Sequence, residues 1–184
     1  MNLTIQDLEN LQAILQENGH DYQLELEEGH ILVMGPSDIQ SSEIGAELIR
    51  LLGNWVKPRR LGRVFDSSGG FILPNTDLRA PDVSFVSADR LRRSKRYFAE
   101  LVPDLVVEIK SQSDRISKLK NKIKLFLEAG ARVAILIDPD QETVTVYRPN
   151  NESVVLSNDD KLTLPELFPG WEISISEIWP PVFE

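Results

Sequence analysis

This chain of 184 residues contains no cysteine and only two histidines. Disulfides, thiolate metal sites and cysteine nucleophiles are therefore excluded. His20 and His30 flank a predicted hairpin with no ligand partners at metal-binding spacing, so surface roles are expected for them. Long apolar runs are missing as well: no segment approaches the roughly 18–20 consecutive apolar residues that cross a bilayer. The N-terminus, Met1-Asn2-Leu3-Thr4-Ile5-Gln6-Asp7, has no basic region followed by an apolar stretch and does not read as a signal peptide. The expectation is one soluble, cytoplasmic domain over 1–184, long enough for a sizeable core and without a membrane partner.

Positive charge is scarce except in one place. Residues 1–56 hold one basic and ten acidic residues, and residues 125–184 hold three and eleven. Residues 57–124 hold sixteen basic and eight acidic ones, a local net charge of +8 in a chain whose total is −9. A confined basic field can attract a polyanion even on an acidic protein. The plainer reading is that solvated helix faces and loops there are basic, and both readings stand at this level.

Periodicity outlines the elements. Thr4 caps a predicted helix to about Asn18, with Leu8, Leu11, Ile14 and Leu15 at helical spacing and Gly19 at its end. Tyr22–Glu27 and His30–Met34 alternate around Glu28-Gly29 as a hairpin. A second helix runs from about Asp38 to Val56, its apolar residues Ile44, Leu48, Leu51, Leu52 and Trp55 recurring at three- and four-residue steps, and Pro58 is expected to stop it. Short strands follow at Arg63–Asp66 and Phe71–Leu73, joined by Ser67-Ser68-Gly69-Gly70, and then a strand over Pro81–Val86. After the basic stretch Arg90–Arg96 comes an apolar strand, Asp104–Lys110, and a third helix over Asp114–Ala129, capped by Ser113 and ended by Gly130. Val133–Ile137 and Thr143–Tyr147 complete the core, with an edge strand near Ser153–Leu156 and a closing tail. The strand–helix–strand order implies a partly parallel sheet. The predicted fold class is mixed α and β, a central mixed sheet flanked by helices, with its core over about 36–148.

The chemistry concentrates in Glu108-Ile109-Lys110 and Pro81-Asp82. Side chains alternate along a strand, so Glu108 and Lys110 should share a face, roughly 6–7 Å apart. Chance alone is a fair source of the triplet, because 16 glutamates and 8 lysines in 184 residues give about 0.7 such triplets. Its context is more telling: an uncompensated charge on a central strand costs several kcal/mol. A buried ion pair, Glu108–Lys110 or Asp82–Lys110, is one way to compensate it. A metal site is the other, since hydrolysis of a phosphodiester needs charge neutralisation and a water of lowered pKa. A nearby lysine could orient that water.

Pro81-Asp82 followed by Glu108-Ile109-Lys110 is the PD-(D/E)XK pattern of the restriction-endonuclease-like superfamily. Around it, Leu61-Gly62-Arg63-Val64-Phe65-Asp66-Ser67-Ser68, Leu78–Ala88, Pro103–Glu108, Ser111-Gln112-Ser113-Asp114-Arg115, Lys122 with Gly130, Ile137-Asp138-Pro139 and Val144 to Arg148 follow in order. Over roughly residues 20–179 the chain resembles the Uma-type family of restriction endonucleases. The resemblance implies a Mg²⁺-dependent endonuclease acting on DNA, with Mn²⁺ able to substitute. It implies Asp82 and Glu108 as metal ligands with the Ile109 carbonyl beside them, and Lys110 as the group that positions water. Lys110 is a true lysine where many relatives carry an apolar residue. Glu43 matches the acid that the superfamily often supplies from the preceding helix. Many relatives have a histidine where this chain has Gln40, and Glu47 could stand in for that contribution.

Lys122, on the following helix, could reach a phosphate, and Arg92, Arg93, Lys95 and Arg96 are the expected nucleic-acid contacts. The apolar tail Trp179-Pro180-Pro181-Val182-Phe183 suggests a homodimer. The alternative is a catalytically silent module of the same fold that binds nucleic acid or protein, or a dimer in which the charges form only an ion-pair network.

Overall fold

Thr4 starts the first helix through a reciprocal cap: its hydroxyl accepts from the Asp7 N–H, and the Asp7 carboxylate accepts from the Thr4 N–H at 2.8 Å. The computed structural model describes residues 2–183 and carries this helix, α1, over Ile5–Glu17. β1 (Gln23–Glu27) and β2 (His30–Met34) form the expected antiparallel hairpin. Glu28 and Gly29 both take positive φ in its two-residue turn.

α2 extends over Ile39–Arg59 and passes through Pro58 rather than stopping before it. A proline in the last turn removes a single helical bond, and Arg60 in the left-handed conformation then ends the helix. Asp38 holds its other end, accepting from the Ser41 N–H at 2.9 Å and from the Gln112 N–H at 2.9 Å. α2 is thereby tied to the loop that follows the central strand.

The strands after it divide between two sheets. β3 (Gly62–Asp66), β6 (Val83–Ser87), β7 (Leu105–Ile109), β8 (Val133–Asp138), β9 (Thr143–Arg148) and β10 (Glu152–Leu156) make a six-stranded sheet in the order β10-β9-β8-β7-β6-β3. Only β7 and β8 in it run parallel, joined by α3 (Ile116–Ala129). β4 (Phe71–Ile72) and β5 (Leu78–Arg79) instead join the hairpin in a second sheet, β2-β1-β5-β4. β11 (Lys161–Thr163) and β12 (Glu172–Ser174) pair near the C-terminus. Gly62 is required in β3: a Cβ there would lie 2.2 Å from the Val86 carbonyl oxygen of its neighbour.

α3 starts two residues later than the spacing suggests, and Ser113 does not cap it. The Asp114 carboxylate accepts from the Ser111 N–H at 2.9 Å and closes a turn of its own, so Arg115 becomes the N-cap without a side-chain bond. Each face of the central sheet buries its own core. Leu105, Val107 and Ile109 pack with α2 and with Phe168 and Trp171, whereas Val106 and Val86 pack with Leu119, Ile123 and Phe126 of α3. Burial of these side chains contributes roughly 1.5–3 kcal/mol each.

Candidate active site

β7 is interior to its sheet, and all five of its residues are buried, Glu108 among them. Alternation turns Glu108 toward α3, the side on which Val106 packs. The antiparallel register pairs Val83 with Val107, which sets Asp82 opposite Glu108 on the same face. Pro81 brings no N–H to this edge, and the Asp82 side chain takes the place of a backbone acceptor: its Oδ2 accepts from the Ile109 N–H at 2.7 Å. N–H and C=O of one strand residue point to the same neighbour, so the Ile109 carbonyl lies along this edge too.

The lysine that meets these acids comes from α3. Lys122 occupies the same helical stripe as the buried Leu119, Ile123 and Phe126. Its Nζ stands 2.9 Å from Glu108 Oε1 and 3.6 Å from Glu25 Oε1, and donates to the Ala80 carbonyl at 3.4 Å. Glu25 reaches the cluster from β1 in the other sheet. Its Oε1 also accepts from the Ala80 N–H at 3.0 Å, and its Oε2 lies 3.4 Å from the Arg79 Nε. Arg79 Nη1 is 3.2 Å from Glu27. A quartet of the buried Glu25 and Glu108 and the partly buried Asp82 and Lys122 thus forms where the two sheets meet.

Burial pushes the Glu108 carboxyl up to about 8, against the pull of Lys122 and with the help of Asp82. Asp82 is raised for the same reason, opposed by Lys122 and by the Ile109 amide. Burial works against the Lys122 ammonium, but the Glu108 and Glu25 carboxylates more than offset this and hold it above its usual value.

Ser84 Oγ is buried without a hydrogen-bond partner, whereas Glu108 Oε1 is engaged by the Lys122 ammonium. Among the described residues, no group of three or more acidic or histidine side chains gathers as a ready-made metal shell. The available donors are two carboxylates and one carbonyl. That set suits Mg²⁺, which binds through one or two carboxylates and keeps several waters.

Other predicted site residues lie elsewhere. Lys110 follows the end of β7, and its ammonium turns to the Asp140 carboxylate in the β8–β9 turn, which holds its pKa above the usual value. Its backbone carbonyl accepts from Ser41 Oγ at 3.3 Å. Lys110 therefore does not share the Glu108 side-chain environment, because strand alternation ends with the strand. Glu43 is exposed on α2, the helix that packs on the opposite face of the sheet. Glu47 is bonded to Arg50, which lowers its pKa. Neither acid joins the quartet. Arg92, Arg93, Lys95 and Arg96 are exposed on the loop between β6 and β7. Glu25 gives no signal in the sequence, because Gln23, Glu25 and Glu27 look like the solvated face of a hairpin. The helical stripe Leu119-Lys122-Ile123-Phe126 is the signal that marks Lys122.

A family model described as "Uma2: Putative restriction endonuclease" matches residues 5–176. The crystal structure of a putative nuclease of the DUF820 group from Anabaena variabilis ATCC 29413 is similar, with a TM-score of 0.76 and 28% identity over 84% of this chain and 88% of that one. A DrdV–DNA complex matches at a TM-score of 0.40 with 13% identity, over 60% of this chain and 10% of that one, too slight a likeness to bear on the site. No curated protein matches in sequence. Among the described residues, no helix is long and apolar enough to cross a membrane.

Proposed function

We propose, from the premise that this chain belongs to the Uma2 family of restriction-endonuclease-like proteins, that it is a metal-dependent endonuclease hydrolysing phosphodiester bonds in DNA. The observation that carries this reading is the meeting of Asp82, Glu108 and Lys122 in one largely buried site. Asp82, Glu108 and the Ile109 carbonyl would hold Mg²⁺ or Mn²⁺. A divalent ion there supplies neutralisation of the phosphate and a water of lowered pKa.

The remaining work falls to residues of this chain. Water adds to phosphorus, one P–O bond breaks, and the leaving oxygen takes up a proton. Lys122 carries its positive charge at the point where negative charge develops on the phosphate, in a setting dry enough to strengthen the interaction. In this reading Lys122 takes the role expected of Lys110. Glu25 acts as a positioning residue, holding the Lys122 ammonium and the Arg79 guanidinium from the second sheet. A homodimer belongs to the same proposal, supported by the exposed Val182 and Phe183 of the tail.

One observation favours the silent-module alternative: the Lys122 ammonium already neutralises Glu108. Cleavage of plasmid, linear duplex and single-stranded DNA with Mg²⁺, with Mn²⁺ and with EDTA separates the two. Metal-dependent cutting by the wild type that is lost in Glu108→Gln supports the nuclease. Equal behaviour of the two proteins leaves the silent module.

A further inference from the structure

We infer that the cavity beside this site holds an unpaired polynucleotide strand, so that the substrate enters single-stranded rather than as a continuous duplex. The inference rests on the proposed nuclease reading and specifies its substrate class. The cavity, about 1180 Å³, lies between α1 and the loop that joins β6 to β7. Its floor includes Glu25 and Ala80, which touch Lys122, and Arg79, which touches Glu25. A ligand lying in it therefore reaches Glu25 and Ala80, which contact Lys122, the partner of Glu108.

The loop wall is built for a polyanion. Its backbone is pinned: Arg63 donates to the carbonyls of Leu91 at 3.3 Å and Arg92 at 3.2 Å, and Arg90 pairs with the buried Asp104 at 2.8 Å. The side chains of Arg92, Arg93, Lys95 and Arg96 are exposed, and none of the four forms a salt bridge among the described residues. Four cations without a salt-bridge partner line the cavity and outnumber the acidic Asp89 and Glu100 of the same loop. They give the local positive charge of the sequence a location.

Aromatic rings decide between strand and duplex. Tyr97 follows the basic run directly and is 53% exposed, with Phe98 beside it at 5.2 Å between ring centroids. Stacking on aromatic side chains needs free base faces, which an unpaired strand offers and a stacked duplex does not. α1 forms the opposite wall through Leu8, Glu9 and Gln12, with the Glu9 carboxylate beside the Tyr97 phenol. Pockets for drug-sized ligands run to about 1,000 Å³, so this cavity accepts a few nucleotides of one strand.

Fluorescence anisotropy in EDTA, with an oligonucleotide of about 12 nucleotides and the same sequence closed into a hairpin duplex, tests the inference. The expected result is binding of the unpaired strand at least roughly tenfold tighter than the duplex. Tyr97→Ala should weaken strand binding by roughly tenfold and leave duplex binding unchanged. Joint replacement of Arg92, Arg93, Lys95 and Arg96 by Ala should weaken binding and flatten its salt dependence, by a slope of about 0.7 for each phosphate that is no longer neutralised. All of these side chains are exposed, and circular dichroism checks that the variants fold. Duplex binding equal to or tighter than strand binding overturns the inference, as does a strand affinity unchanged in both variants. Tight strand binding by a protein that cuts no nucleic acid would defeat the nuclease reading and leave the groove standing. Cutting without any strand preference would do the reverse.

Discussion

Lys122 Nζ lies 2.9 Å from Glu108 Oε1, whereas Lys110, two residues from Glu108 in sequence, faces Asp140. The lysine of the buried site therefore comes from the helix after the strand and not from the strand motif.

Two substitutions separate these lysines. Lys122→Ala should lower the rate of DNA cleavage by about 10²–10³-fold, the loss typical for one preorganised charge-stabilising donor. Lys110→Ala should stay within a fewfold of wild type, because its partner is a surface carboxylate. Single-turnover cleavage rates measure both, and the opposite ranking would return the role to Lys110.

The pH dependence of stability follows from Glu108. Its folded pKa, about 8, lies above the ordinary carboxylate value, so the folded state binds more protons in between. Stability from this group is complete at low pH and is lost as pH rises toward 8. Asp82 shifts in the same direction. Metal-free wild type should lose a few kcal/mol across this window, and Glu108→Gln should flatten the profile. Chemical denaturation at a series of pH values in EDTA reads this out.

Metal binding should invert that trend. Metal ligands must be deprotonated, so Mg²⁺ or Mn²⁺ should raise Tm more at pH 8 than at pH 5. Asp82→Asn should abolish the rise. A Tm indifferent to metal at both pH values would refute the assignment of Asp82 and Glu108 as ligands.

Glu25 should matter for stability as well as for the site. Glu25→Gln keeps an acceptor for the Ala80 N–H but leaves Arg79 and Lys122 short of negative charge in a buried setting. Removing one partner of a buried ion pair costs about 3–5 kcal/mol. Urea denaturation should show this loss, and cleavage should fall even under conditions where the variant is folded.

The Asp38 cap should behave as a tether. Asp38→Ala removes acceptors from both the Ser41 N–H and the Gln112 N–H. A loss of about 1–2 kcal/mol is expected, at or above the usual value for an N-cap. Hydrogen exchange should localise the effect to the start of α2 and the loop after β7.

Much of this protein is written locally. Alternation in Leu105–Ile109 determines that Glu108 points away from Val107, and the helical repeat of Leu119, Ile123 and Phe126 determines which side of α3 is buried. The reciprocal cap at Thr4 and Asp7 and the turn at Glu28-Gly29 depend on neighbouring residues, so they too are legible in the sequence. Pro81-Asp82 and Glu108 mark two of the four members of the site. Where β7 stops, which lysine meets Glu108, and that Glu25 is buried at all were decided only by the tertiary structure. A polar residue on a hairpin looks solvated until a second sheet and a helix close over it. The partners of Glu25 and Glu108 lie on separate elements, and no local period records the distances between them.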